Sequence, residues 1–401
     1  MTTVDRRELL KRSSLIALAP TVPHFLARLA QAVEARRDDR VLVVIQLDGG
    51  NDGINTVVPY RDEGYAKHRN KLRLAVDRLH KLDDALALHP SLRPLADLYE
   101  KGRLAIVQGI GYPNPNRSHE VSMAIWHTAR FDPAEQKQYG WLGRALDQLP
   151  AAPGGPGAML AGDGALPAAL IGRHSAAGSF SRIEELAVQN DAARAAIAND
   201  APPDDLAAFV RRSTLDAYAS ADAVTAAAAR PPRGATYPAN PLAQHLRTIA
   251  RLIESELPTR VFYAVQRGYD THSAQMDTHA RLLDELGRAL KAFVDDLQAA
   301  GLAERVLVMT FSEFGRRVAE NASAGTDHGT AAPMFLAGPG VKPGLLGTTP
   351  SLLDLDDGDL KLTLDFRRVY AAVLRDWLNV VPDSVLAGSH EPLAVLRAEQ
   401  G

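Results

Sequence analysis

Residues 41–47, Val-Leu-Val-Val-Ile-Gln-Leu, form an apolar run rich in β-branched side chains, and Asp48 follows it directly. Such a run reads as a strand covered on both faces, the pattern of a parallel sheet. Strand signals recur at 104–108, 260–265, 306–311 and 333–337, with helical spacing between several of them. Leu92, Leu95 and Leu98 share one face over 91–101, and Gly102 stops that helix. Residues 242–257 read as helix. The clearest amphipathic helix spans 279–299, with Leu282, Leu286, Leu290, Phe293 and Leu297 along one stripe. Phe366, Val369, Val373 and Leu374 line a closing helix over 366–378. Strand-then-helix alternation predicts an α/β fold, a largely parallel sheet with helices on both faces.

The chain has 401 residues, 46% of them apolar and 23% charged, the balance of an ordinary soluble globular protein. Length allows two or three domains, but α/β enzymes of this size often form one domain with an insertion. The expectation is a single domain over 40–400 with a helical Ala/Pro-rich insertion at about 150–240. Within it, Ala168–Ile171 is predicted as strand, and Ile183–Ile197 and Asp204–Ala228 as helices. A net charge of −3 makes no electrostatic case for nucleic acid or an anionic membrane.

The N-terminus has its own pattern. Arg6-Arg7 precede a modestly apolar stretch, Leu15 to Leu29, and Ala30-Gln31-Ala32 offers a small-x-small cleavage site. In that order these features predict a twin-arginine signal peptide over 1–32 and a periplasmic or secreted protein that meets the twin-arginine export machinery. The alternative is an amphipathic first helix carrying a chance arginine pair. The apolar stretch is too short and too interrupted by Pro20, Pro23 and Arg28 to be a transmembrane segment. There is no cysteine, so neither disulfides nor a lipid-bearing thiol.

Chemistry concentrates in LDGGNDG at 47–53, GYDTHS at 268–273 and GTDHG at 325–329, with the 112–119 loop and SEFGR at 312–316. All are placed at strand ends, where open α/β sheets bind ligands. Clustered carboxylates and imidazoles suit a divalent metal, zinc, magnesium, calcium or manganese. Asp48, straight after a buried strand, reads as a ligand or as an Asx-turn residue. Asn51 and Asp52 are open to both readings. Asp270 and His272, two apart, point the same way on extended backbone. His279 reads as a third ligand or an exposed helix-start residue. Asp327 and His328 form a ligand pair, or Asp327 orients a histidine from behind. Glu313 is a further ligand or the ion-pair partner of Arg316 or Arg317. Ser118 is a candidate nucleophile or a turn serine, Arg117 a candidate anion clamp, and His119 an alternative catalytic group. His89 reads as a helix-start residue and His127 as a packing residue.

LDGGNDG with NTVVPY, HPSLRPL, GIGYPNPNRSHE, GYDTHS, TFSEFGRR and GTDHGTAAPMFLAG together resemble the DUF1501 family of exported proteins over nearly all of 40–380. The resemblance implies a distant relationship to the alkaline phosphatase and sulfatase superfamily, with its α/β sheet and one- or two-metal site. It implies that Asp48 is the strand-end metal aspartate, Asp270 and His272 the later metal pair, and His328 the last metal histidine. Ser118 or a neighbour then occupies the nucleophile loop. Glu313 falls where an Asp of an Asp-His pair is usual, and Phe314 falls where the His should be. Pro113 stands where a sulfatase carries its oxidisable Cys or Ser, so formylglycine chemistry is not expected.

Two functions follow. One is a metal-dependent hydrolase of phosphate or sulfate esters, acting on a small anionic ester or a polymer-derived ester. The other is a non-catalytic periplasmic binding or assembly protein on the same fold, which Phe314 favours. The export reading has its own test: replacing Arg6 and Arg7 with lysine traps precursor in the cytoplasm, seen by fractionation, and normal export of that variant would refute it.

Overall fold

In β1 (Val41–Asp48), Val41, Val43, Ile45 and Leu47 pack into one apolar cluster, and Leu42 and Val44 into another on the opposite face. A period of two dictates this for a strand covered on both sides. The computed structural model describes residues 40–150, 157–162, 164–180, 235–255 and 257–398. These belong to one compact unit, Arg40–Gly401.

Three short strands, β2 (Val57–Val58), β3 (His80–Lys81) and β4 (Ala87–Leu88), form a small antiparallel sheet of their own. The main sheet takes β1 with β5 (Leu104–Gly111), β6 (Ala158–Ala161), β7 (Ala177–Phe180), β8 (Val261–Arg267), β9 (Val306–Phe311), β10 (Ala332–Ala337) and β11 (Gly344–Leu346). β12 (Leu355–Asp356) and β13 (Asp359–Leu360) make a separate hairpin, and β14 (Leu364–Asp365) joins the main sheet beside β5. Along the main sheet the order is β11-β5-β10-β9-β1-β8-β6-β7. Its pairings are parallel except those of β10, which runs antiparallel to both β5 and β9. The sheet is therefore mixed and mostly parallel. The chain from β9 to β10 returns through a loop without a crossover helix, as an antiparallel neighbour permits. This reversal carries GTDHG, which precedes β10, to the edge where β1, β8 and β9 end.

Helix α1 (Gly53–Thr56) opens straight from the first motif, capped by Asp52. One face of the sheet is covered by α2 (Arg93–Glu100) and, later in the chain, by the two long helices Pro241–Glu254 and Gln275–Ala299. The other is covered by α3 (His119–Thr128) and by a later helix, Arg367–Ala372. These later helices are α4 (Pro241–Glu254), α5 (Gln275–Ala299) and α6 (Arg367–Ala372); α6 continues as a π-helical turn, Val373–Trp377. The α5 stripe is as expected, with Leu282, Leu286, Leu290, Phe293 and Leu297 all buried. Its start moves back from 279 to Gln275, because the Ser323 and Ala324 carbonyls accept the Ala274 and Gln275 N–H groups.

Two expectations are corrected. Ala168–Ile171 is not a strand: Ala168–Leu170 is a 3-10 turn after Pro167. The Ala/Pro-rich segment is not helical where it begins, since β6 and β7 lie within it and extend the main sheet beside β8. The expected helices at 183–197 and 204–228 and the signal at 1–32 lie outside the described residues. Among the described residues, no helix is long and apolar enough to cross a membrane. Leu286, fully buried at the centre of α5, tests the core. Leu286→Ala lowers unfolding stability by about 2–5 kcal/mol in a urea titration.

Candidate metal centre

The first motif turns away from β1 on two glycines with positive φ, Gly49 at 114° and Gly50 at 78°. Both are needed. A Cβ on Gly49 would lie 2.5 Å from the Asp270 backbone nitrogen, and one on Gly50 would strike the Phe314 ring. The turn thereby brings the loop after β8 against the loop after β1. The Arg316 guanidinium, buried beneath, donates to the carbonyls of Gly50 (2.6 Å), Thr326 (2.8 Å), Tyr269 (2.9 Å) and Gly49, and to Asp270 Oδ1 at 2.7 Å. Burial pushes the Asp270 carboxyl up, but the hydrogen bonds from Arg316 and His328 outweigh it and hold its pKa at about 2.

Three imidazoles surround Asp270. His328 Nε2 and His272 Nε2 each lie 3.0 Å from Asp270 Oδ1 and 3.0 Å from one another. His119 Nε2, from the first turn of α3, lies 3.5 Å from the same oxygen. Each ring turns its other nitrogen toward an oxygen. His328 Nδ1 meets the Arg117 carbonyl at 2.7 Å, His272 Nδ1 meets Asp327 Oδ1 at 3.1 Å, and His119 Nδ1 meets Glu313 Oε1 at 2.8 Å. A carbonyl or carboxylate oxygen only accepts, so each of the three Nδ1 atoms carries a proton. The three Nε2 atoms crowd the Asp270 oxygen, which also only accepts, so each is either protonated there or open to bind a cation. Two lone pairs 3.0 Å apart require a shared proton or a cation between them.

The donor set fits a cation. Atoms bound roughly 2.0–2.2 Å from zinc in a tetrahedral shell sit about 3.3 Å apart. The 3.0 Å and 3.5 Å separations fall on either side of that value. His119, Asp270 and His328 present ligand atoms all within 4.8 Å of one another. Histidines held through Nδ1 by carboxylates or carbonyls are the usual arrangement behind a metal.

Asp270, His272 and His328 thus come together, and His119 joins them. Other expected members sit elsewhere. The described hydrogen bond of the Asp48 carboxylate comes from Gln46 Nε2 at 2.8 Å on its own strand, and no contact with the histidines is seen among the described residues. Glu313 is buried behind His119, where it also accepts the Gly49 N–H at 2.9 Å, so it orients rather than faces the centre. It does not pair with Arg316, whose carboxylate partner is Asp270. Asp327 orients His272, not its neighbour His328. Arg117 is not a free anion clamp, because its guanidinium is paired with Asp357 and Asp359. Ser118 is exposed at the start of α3, and among the described residues its hydroxyl bonds no member of the cluster. Phe314 bears no ligand; its ring packs 4.9 Å from His119 and 4.7 Å from His328, supporting both.

Several polar residues of the motifs are structural. Asp52 is fully buried, 2.5 Å from Arg69 Nη1 and 2.5 Å from Gln275 Nε2. Burial raises its carboxyl, yet Arg69 overrides this and leaves its pKa at about 2. His279 is neither ligand nor exposed. Its Nε2 meets Asn51 Oδ1 at 2.9 Å, and burial pulls its pKa down to about 4. His89 accepts the Ser91 N–H at a helix start. His127 is buried against Gln46 and Tyr263, as a packing residue. Two residues take roles other than those read from the sequence, which makes Arg316 a candidate ion-pair partner of Glu313 and His119 a candidate catalytic group. The partners of Arg316 are carbonyls from three loops, and His119 is placed by the first turn of a helix that the sequence did not reveal.

Comparison with known proteins adds three findings. Residues 39–380 match the family described as "Protein of unknown function (DUF1501)". No curated protein matches the chain by sequence. Similar solved structures include a sulfatase from Pseudoalteromonas sp., with 10% identity, a TM-score of 0.41, and 95% of this chain and 78% of that one covered. A lipoteichoic acid synthase from Listeria monocytogenes has 10% identity and a TM-score of 0.39 over 82% of this chain and 75% of that one. The C-terminal periplasmic domain of EcEptC from Escherichia coli has 8% identity and a TM-score of 0.37 over 86% and 82%.

The buried Asp52–Arg69 pair yields a stability prediction with a definite sign. A carboxyl whose folded pKa is depressed contributes stability above its unfolded pKa. That contribution is lost as pH falls from near 4 toward 2. Asp52→Asn leaves Arg69 buried without its counter-charge and costs about 3–5 kcal/mol at neutral pH. It also flattens the acid limb of the stability curve, as denaturant titrations between pH 2 and 7 measure.

Proposed function

The chain belongs to the DUF1501 family, and for this member we propose an exported metal-dependent hydrolase of anionic esters, of the phosphate or sulfate class. The observation that carries the reading is the set of three Nε2 atoms grouped beside Asp270 Oδ1, each ring fixed from behind by an oxygen acceptor. His119, His272, His328 and Asp270 would hold the ion. Three imidazoles and one carboxylate favour zinc over magnesium or calcium, which prefer all-oxygen shells. A bound divalent ion supplies a Lewis acid that polarises the ester oxygen and lowers the pKa of an attacking water.

The residues of the chain do the rest. Arg316 holds Asp270 ionised and aimed at the edge of the sheet. Glu313 and Asp327 keep His119 and His272 in one tautomer. Asp270, His272 and Asp327 remain about half exposed, so an ester approaches from solvent without opening the fold. Asp48 stays at the rim on the β1 side. Attack by water is favoured over attack by Ser118, whose hydroxyl has no base among its described partners. Export is supported by the order of Arg6-Arg7, apolar stretch and cleavage site.

A second reading, a binding or assembly protein that keeps the ion, draws on Arg117. With its guanidinium held by Asp357 and Asp359, no arginine clamp is ready for an anion at this loop. One experiment separates the two. Metal content of the purified protein is measured, then turnover of aryl phosphates and aryl sulfates before and after chelation. The hydrolase reading expects turnover that chelation abolishes, a loss of at least about 100-fold in His272→Ala, and substantial activity in Ser118→Ala. Bound metal without turnover leaves the binding protein; absence of metal in protein purified with zinc refutes both.

A further inference from the structure

The hairpin of β12 and β13 turns on Asp357 and Gly358, both with positive φ, 48° and 80°. An Asp-Gly pair at a two-residue turn is the sequence that such a turn demands. Its tip gathers two arginines from separate loops. Arg117 pairs with Asp359 Oδ2 and, at 3.1 Å, with Asp357 Oδ2. Arg317 Nε lies 3.3 Å from Asp359 Oδ1, and its guanidinium donates to the Asp357 carbonyl. Asp359 is 1% exposed, whereas Arg117 and Arg317 are 38% and 33% exposed. A carboxylate buried this deeply persists only because both cations meet it.

Neither arginine reaches the centre with its side chain, but both backbones do. The Arg117 carbonyl accepts the His328 Nδ1 hydrogen, and His119 lies two residues on. The Arg317 N–H donates to the Asp327 carbonyl at 3.0 Å, and the Asp327 carboxylate accepts from His272 Nδ1. The hairpin makes a third tie: Thr330 Oγ1, two residues after His328, donates to the Leu360 carbonyl at 2.6 Å.

We propose that the acidic hairpin tip, with Asp359 at its centre, is a positioning element that sets the orientation and tautomer of the centre's histidines through the backbones of Arg117 and Arg317. The proposal rests on the metal-site reading above. Asp359 is a positioning residue and touches neither ion nor substrate. When it is neutralised, both arginines relax toward solvent, because each is already about one-third exposed. The fold survives, while the Arg117 carbonyl and the Asp327 loop lose their fixed placement.

The test uses the purified full chain and zinc as the probe. Asp359→Asn and Arg117→Gln each weaken zinc affinity roughly tenfold, the scale set by removing support from behind a ligand. In metal-free protein, 15N spectra of the imidazoles show His328 losing its Nδ1–H preference in both variants. The double variant is no worse than either single one, because the two residues act through one link. Asp354→Asn, which breaks the exposed pair with Lys361 beside the same hairpin, changes neither readout. Wild-type affinity and tautomer in Asp359→Asn overturn the proposal, as do additive losses in the double variant or an equal loss in Asp354→Asn. Should wild-type protein bind no zinc, the metal reading fails, and the tautomer spectra of metal-free protein still decide the role of the hairpin.

Discussion

The guanidinium of Arg316 is the interaction on which the centre depends. It is fully buried, and it binds carbonyls of Gly49, Gly50, Tyr269 and Thr326 together with the Asp270 carboxylate. Those partners come from the loops after β1, after β8 and before β10. Each loop turns its carbonyls inward, where they would otherwise lack donors at a cost. One planar cation with a fan of donors satisfies them together, which the compact ammonium of a lysine does not do. The side chain that collects the loops also holds Asp270 in its ionised form. Geometry and charge at the centre therefore have one origin.

Below the edge, polar groups are arranged differently from those upon it. Asp52, Arg69, Gln275, Asn51 and His279 are buried and bonded to one another, with the imidazole held neutral by burial. At the edge, Asp270, His272, His119 and Asp327 are partly open to water. The same motifs supply both sets. In LDGGNDG, Asn51 and Asp52 turn inward to anchor α1, while Gly49 and Gly50 let the backbone pass close to Asp270 and Phe314. A motif rich in carboxylates is thus not automatically a ligand set. Its members divide between supporting the loop and facing solvent.

Phe314 takes a packing role at this edge of the sheet. The resemblance to metal-dependent hydrolases places a histidine at that position. Here a phenylalanine ring lies beneath His119 and His328. The imidazole of His119 arrives from the start of α3 instead, steadied by Glu313. The aromatic ring makes an apolar floor against which both imidazoles rest.

The buried strands, the α5 stripe and the placing of the motifs at one sheet edge were legible in the sequence. Hydrophobic period and glycine position are local properties, written residue by residue, and β1, β8, β9 and α5 all form where those signals stand. The place of Asp270 and His272 after β8 was legible as well, whereas His328 meets them only because β10 runs antiparallel to its neighbours. Direction and pairing were not. The reversal of β10 depends on which neighbour accepts its edge, and the shift of α5 to Gln275 depends on carbonyls some fifty residues away. The roles of Asp48, Glu313, Arg117 and Arg316 turn on a few ångströms between side chains distant in the chain. A one-dimensional pattern carries the identity of a carboxylate and its place on a strand. Which cation or imidazole it meets is a property of packing, and packing exists only once the chain has folded.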